Sequence, residues 1–260
     1  MAPSPPTDRA GWTSHPLCAP AATLPATYWG PERLDPEAWR ELAALLAPGD
    51  EIAALLDALG DARDVVDVGG GTGLITQAIA RRGPVIAIEP SDEQRAHMPP
   101  GITARAGRAE ALPLHDGASD AAIATWVLQY TDDPARAVDE LARVARRRVV
   151  IVQAAPGNDL VEIYNRQARV AGLPPAHHGW LLALAAARLE AAGFAVSLAR
   201  VATAVPGRDP GAMADLLSRL HFAWHPRRAE LAEATRSYIA DRLAATGALA
   251  DDGVVLCARR

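Results

Sequence analysis

The residues whose types and spacing carry the clearest chemistry lie between Val65 and Glu89. Val65, Val66, Asp67 and Val68 read as a short buried strand that runs into Gly69, Gly70, Gly71, Thr72 and Gly73, a DxGxGxG turn, and then into a helical stretch from Leu74. Glycines in such a turn adopt positive φ and let a ligand lie against bare peptide. The following helix offers unpaired amides and the positive end of its dipole. Val85 to Ile88 reads as a second strand, and Glu89 stands at its carboxyl end, where an acid can accept from both hydroxyls of a ribose. A dinucleotide-binding dehydrogenase would also place a glycine turn and an acid here. Its GxGxxG signature fails, because Leu74 and Thr76 occupy the two positions where a third glycine would follow.

Two further motifs follow in order, GRAEALP (Gly107 to Pro113) and SDAAIATWVLQY (Ser119 to Tyr130). Together with DVGGGTG (Asp67 to Gly73) and AIEPS (Ala87 to Ser91), they make the stretch from about Val65 to Val152 resemble the class I S-adenosylmethionine-dependent methyltransferases. The likeness is nearest to small-molecule enzymes of bacterial secondary metabolism, antibiotic biosynthesis included. It implies a Rossmann-like α/β fold: a seven-stranded mixed sheet, its seventh strand antiparallel, with helices on both faces. It also implies S-adenosyl-L-methionine as cofactor. By the same resemblance Asp67 orders the loop and bonds the amino-acid part of the cofactor, and Gly69, Gly70, Gly71 and Gly73 approach it. Glu89, followed by Pro90, holds the ribose. Related sequences often have an aspartate where Arg108 stands, to accept from the adenine amino group. An arginine cannot accept, which leaves the Ala109 amide at the ring and Arg108 to stack on its face. Thr125, Trp126 and Gln129 are expected beneath the methionine part beside the transferred methyl, with a core position as the alternative for Trp126.

The elements that must position these residues are legible on either side. Residues 1–34, rich in proline, alanine and threonine without periodicity over their first part, are expected as a flexible arm ahead of one domain over 35–260. Asp35 and Pro36 read as an N-cap and first helical position, and Asp50 opens a second helix that ends at Gly60. Strand and helix then alternate, the pattern of a parallel sheet covered on both faces. Helices are expected at 74–82, 91–97 and from Pro134, the last capped by Asp133 and carrying an Asp139–Arg143 pair. Strands three to five fall at 102–106, 120–125 and 149–152. Asn158 caps a further helix, and 178–192 reads as the next crossover. Strands six and seven are expected at 195–205 and 254–259, paired antiparallel, with 206–250 between them as a helical cap insertion.

Composition excludes several classes. The 260 residues carry a formal charge of −5, with 26 basic residues, all arginine, interspersed among 31 acids, so no basic stripe offers itself to nucleic acid. The run Arg146, Arg147, Arg148 reads as a solvated helix end before strand five. Cys18 and Cys257 are expected as two reduced thiols, and no apolar run approaches a membrane span, which predicts a soluble cytoplasmic protein. A homodimer stays open.

Methyl transfer onto a small molecule needs an aligned nucleophile and exclusion of water, and a hydroxyl nucleophile gains from a general base. His177 and His178 before Trp180, and His221 with His225 in the cap, are the candidate bases, of which at most one is expected to act. Capping of the next helix and a surface face are the plain alternatives. His221 and His225 have a spacing that suits two metal ligands, but no HExxH arrangement completes it, and no metal is expected. Tyr28, Trp29, Tyr164, Asn165 and Trp180 are candidate acceptor-binding residues. The run Ala124, Thr125, Trp126, Val127 lacks the acid or amide, two prolines and aromatic of enzymes that methylate base amines or glutamine amides. The expected activity is O- or N-methylation of a small molecule in natural-product biosynthesis (EC 2.1.1). The alternatives are C-methylation and a non-catalytic S-adenosylmethionine-binding protein.

Overall fold

Four short runs of apolar residues form the centre of a seven-stranded sheet. The computed structural model describes residues 12, 15–18, 35–46, 50–173, 180–207 and 209–260. The expected arm therefore lies almost wholly outside the described residues, as do Tyr28, Trp29, His177 and His178. Strand β1 (Val65–Val68) pairs in parallel with β2 (Val85–Ile88) on one side and with β4 (Ser119–Thr125) on the other. Strand β3 (Thr103–Arg105) closes the β2 edge, and β5 (Ala145–Ala154) lies beyond β4. Strand β9 (Gly253–Arg259) runs antiparallel between β5 and β6 (Ala195–Val201), giving the order β3-β2-β1-β4-β5-β9-β6.

Alternation along these strands supplies two cores, because successive side chains point to opposite faces. Val66, Val68, Ala122, Ala124, Val149 and Ile151 belong to one cluster, with Val138 and Leu141 of α5 (Pro134–Val144) and Leu182 and Leu189 of α7 (Leu181–Ala191). Val65, Ala121, Ile123, Val150 and Val152 belong to the other, with Leu55 and Leu59 of α2 (Asp50–Leu59) and Ile79 of α3 (Leu74–Ala80). Cys18 and Cys257 fall in different clusters and are both free thiols.

The cap has its own core. Helices α1 (Pro36–Leu45), α6 (Asp159–Val170), α8 (Pro210–Phe222) and α9 (Arg228–Thr246) meet around Leu42, Ile163, Met213, Leu217, Leu220 and Ile239. A two-stranded ribbon of β7 (Ala204–Pro206) and β8 (Ala248–Ala250) joins them through Val205 and Leu249. Three Asp-Pro pairs start helices here. Asp35, Asp133 and Asp209 each accept from backbone amides of the first turn, while Pro36, Pro134 and Pro210 fill positions that need no N–H donor. Asn158 caps α6 in the same way through the Val161 amide. The short helix α4 (Asp92–Ala96) is capped by Ser91.

Four expectations change. The sixth strand ends at Val201, and Val205 leaves the main sheet for the ribbon, since Asp251 and Asp252 turn the chain between β8 and β9. The fifth strand begins earlier, at Ala145, so Arg146, Arg147 and Arg148 lie within β5. They are also ion-paired, although Arg146 and Arg147 stay exposed: Arg146 meets Asp64 and Asp120 at 2.9 Å each, and Arg147 and Arg148 share Asp61. Asp139 bonds Arg188 of α7, while Arg143 turns to Glu140 and Asp116, because each reaches a better-placed partner than the other. Trp180 precedes α7 and packs against the larger core cluster.

Ile123 is fully buried on β4. Ile123→Ala is expected to lower the free energy of unfolding by about 2–5 kcal/mol, and Asp133→Ala by about 1 kcal/mol, read as shifts in the urea midpoint at unchanged slope.

Candidate functional site

The site forms where β1, β2 and β4 end, since all three stop at one edge of the sheet and their loops converge. Gly69 and Gly71 hold φ of 72° and 56° in the first loop. A Cβ on Gly69 would stand 2.4 Å from Val127 Cγ2, whereas one on Gly71 would meet no protein atom and would project into open cleft. Glu89 is buried and accepts from the Gly71 amide at Oε2 and from the Ser91 amide at Oε1, both at 2.9 Å. Each carboxylate oxygen has a further lone pair for a ligand hydroxyl. Asp67 is buried beneath the turn and accepts from the Thr76 hydroxyl at 2.6 Å, so that α3 and the loop are held from below. Burial pushes its carboxyl up to about 6. The Thr76 hydrogen bond opposes this and the charge of Glu89 adds to it.

Two adjoining cavities open from this loop. The smaller, about 100 Å³, is lined by Gly71, Glu89, Pro90, Arg108 and Ala109, which brings the expected ribose and adenine contacts together. Arg108 is held there by Asp132 at 3.3 Å and Glu110 at 3.7 Å. The larger, about 330 Å³, begins at Asp67, Gly69 and Gly70 and runs under the cap past Tyr164, Leu217 and His221. Thr125, Trp126 and His221 line both. Gly73 caps α3 at φ 85° beside Pro99, and supports the loop without lining either cavity.

Trp126 has a φ of 60°, uncommon for so bulky a side chain. Its backbone is pinned from both sides: its amide donates to Val152 O, and its carbonyl accepts from Gln129 Nε2, both at 2.9 Å. That conformation brings the indole N–H to Glu51 Oε1 at 3.2 Å. Glu51, from the first turn of α2, lines the larger cavity, as does Asp251 from the turn between β8 and β9. Burial pushes the Glu51 carboxyl upward against the Trp126 hydrogen bond. Burial likewise takes Asp251 up to about 7, with Asn158 opposing and the charges of Glu51 and Asp252 adding. Sequence reasoning missed both acids, and the Asp251-Asp252-Gly253 turn before the last strand was the only local signal.

Of the two candidate histidines among the described residues, His221 lines the cavities, its ring edge-on to Tyr164 at 4.5 Å between centroids. His225 lies beyond the end of α8, packed on Phe222 and Trp224. Tyr164 lines the larger cavity, whereas the buried Oδ1 of Asn165 has no hydrogen-bond partner among the described residues and Trp180 is partly buried against the core cluster of one sheet face.

Residues 66–152 match the methyltransferase domain family. An uncharacterized methyltransferase of Mycobacterium tuberculosis (strain ATCC 25618 / H37Rv) is 40% identical over 104 residues, 38% of this chain and 41% of the relative. The chain thus spans about two fifths of the length of the curated relatives it matches. Among solved structures, a candidate methyltransferase from an antibiotic biosynthesis pathway of Anabaena variabilis superposes with a TM-score of 0.59 at 16% identity, covering 81% of this chain and 97% of that one. The [4+2]-cyclase SpnF superposes at 0.57 with 20% identity, covering 92% and 99%. Residues 66–152 thus carry a methyltransferase domain, and the chain shares the fold of solved methyltransferase structures. S-adenosylmethionine is the cofactor that the matched domain implies, and the residues fit it. The Glu89 carboxylate and the open face of Gly71 suit a ribose, and the buried Thr125 Oγ1 and Gln129 Oε1, without partners among the described residues, suit an amino-acid part. No helix among the described residues is long and apolar enough to cross a membrane.

Because burial raises the Asp67 carboxyl from 3.8 to about 6, the folded chain binds that proton more tightly than the unfolded one. Its contribution to stability is full below about pH 4 and lost as pH rises through about 6. Asp67→Asn removes this dependence. The variant's melting temperature relative to the parent is therefore expected to rise between about pH 4 and pH 7, as thermal unfolding across that range would show.

Proposed function

We propose that this chain transfers a methyl group from S-adenosylmethionine to an oxygen or nitrogen of a small-molecule acceptor, as a cytoplasmic enzyme of natural-product biosynthesis. The observation that carries this reading is the continuity of the site. The Glu89–Gly71 clamp in the smaller cavity and the cap-covered space of the larger share Gly69, Gly71, Thr125, Trp126 and His221 on their walls. When bound, the cofactor supplies a methyl carbon made electrophilic by its sulfonium. What the chain contributes is alignment and exclusion of water. Leu42, Leu160, Leu217 and Leu220 give the acceptor end an apolar lining, which suits a small organic molecule better than a polymer.

His221 is the group placed to take a proton from a hydroxyl acceptor, because it stands at the junction of the two cavities and its ring is oriented by Tyr164. The natural-product assignment rests on the motif resemblance between Asp67 and Tyr130. SpnF is a cyclase on a similar fold, so the decisive readout is methylated product and not cofactor affinity alone.

Calorimetry with S-adenosylhomocysteine is expected to show binding by the parent chain and a loss on the order of 100-fold in Glu89→Ala, since a charged acceptor of two hydroxyls is removed. Absence of binding by the parent would end the methyltransferase reading. With a hydroxyl acceptor that yields product, His221→Gln should lower kcat by about 10²-fold or more and abolish the rise of rate with pH. An unaltered rate and profile would mean that the acceptor attacks without help from this ring.

A further inference from the structure

The larger cavity holds an arrangement that the methyltransferase reading does not use. Several acids of this arginine-rich chain meet guanidinium groups, and Asp61, Asp64, Asp120, Asp139 and Asp252 are all ion-paired. Glu51 and Asp251 differ. The hydrogen bonds they make are with neutral donors, the Trp126 indole for Glu51 and the Asn158 amide, at 2.9 Å, for Asp251. The two carboxyls line the same cavity, and the charge of Glu51 raises Asp251. No arginine lines that cavity among the described residues, and its other ionisable groups are Asp67, Tyr130, Tyr164 and His221.

Two further polar side chains belong to residues of the same wall. Gln167 is fully buried on α6, donates through Nε2 to Thr235, and has no partner at Oε1 among the described residues. Thr203, nine-tenths buried between β6 and β7, has none at Oγ1. Both line the cavity. The unmatched atom of Gln167 is an acceptor, and the two carboxylates are acceptors. A buried acceptor without a donor is costly, as is a buried anion without a cation, and one ligand satisfies both by bringing N–H donors and positive charge together.

We infer that the acceptor molecule carries a basic nitrogen, and that Glu51 and Asp251 bind it as an ammonium group while the leucine-rich wall of the cap receives its apolar body. The inference rests on the proposed function only in calling this molecule the methyl acceptor. The binding site is defined by this chain's residues alone. The raised carboxyls of Glu51 and Asp251 are what burial without a counter-ion produces, and an ammonium would restore them to the charged form. Trp126 acts as a positioning residue, since its left-handed backbone is what carries the indole to Glu51. An anionic molecule of the same shape is excluded by like charge.

The test uses the full chain saturated with S-adenosylhomocysteine and three probes of similar shape: phenethylamine, 2-phenylethanol and 3-phenylpropionate. Calorimetry near pH 8 is expected to give at least 10-fold tighter binding for the amine than for the alcohol and none for the carboxylate. Glu51→Gln and Asp251→Asn should each lose at least 10-fold in amine affinity while alcohol and S-adenosylhomocysteine affinities stay within twofold. Equal binding of amine and alcohol by the parent chain overturns the inference, whether or not the variants fold. A loss of S-adenosylhomocysteine affinity in the variants with amine affinity intact also overturns it, because the carboxylates would then serve the cofactor's own ammonium. If the parent chain binds no S-adenosylhomocysteine, the methyltransferase reading fails, and the amine-over-alcohol ratio measured without it still decides this inference.

Discussion

A single buried carboxylate organises the cofactor end of this molecule. Glu89 leaves β2 at the sheet edge and takes the amides of Gly71 and Ser91, and so ties the loop after β1 to the loop after β2. A buried acid without donors would be expelled or neutralised, so the positive-φ turn at Gly69 to Gly71 and the acid behind it depend on one another. The parallel register of β1 with β2 and β4 is what brings the strand ends level. Asp67 then works from underneath, where its bond from Thr76 fixes the turn to the helix it feeds.

Charge is distributed with a clear division. At the amino-terminal edge of the sheet, arginines of β5 neutralise Asp61, Asp64 and Asp120 and lock the entry of β1 to the start of β4. At the carboxyl edge, Asp67, Glu51 and Asp251 are gathered with neutral hydrogen-bond donors only, among the described residues. The first arrangement serves the fold. The second stores unfavourable electrostatics beside a cavity, the pattern found where a site is built to receive a ligand.

The cap converts an open sheet edge into an enclosed space. Its helices α8 and α9 share a core with α1 and α6, so that segments from both ends of the chain close over one edge of the sheet. Trp126 lies where the two cavities join, and its strained backbone is retained because Val152 and Gln129 hold it from two sides.

Read alone, the sequence determined the strands β1 and β2, the glycine turn, the acid at the end of β2 and most helix starts. Each depends on neighbours a few residues away: alternating valines, a DxGxGxG spacing, Asp-Pro or Asn caps. It placed strand five too short and let strand six run into the cap, because Arg146 to Arg148 look solvated until Asp61, Asp64 and Asp120 are beside them, and Val205 looks like sheet until Leu249 pairs with it. Only the tertiary structure decided that His221 rather than His225 meets the cavity, that Trp180 packs partly buried against the core, and that Glu51 and Asp251, two hundred positions apart, share a wall. The physical reason is the same throughout. Backbone conformation and capping are local energies written in adjacent residues, whereas the pairing of charges and the lining of a cavity depend on groups that meet only after the sheet has closed.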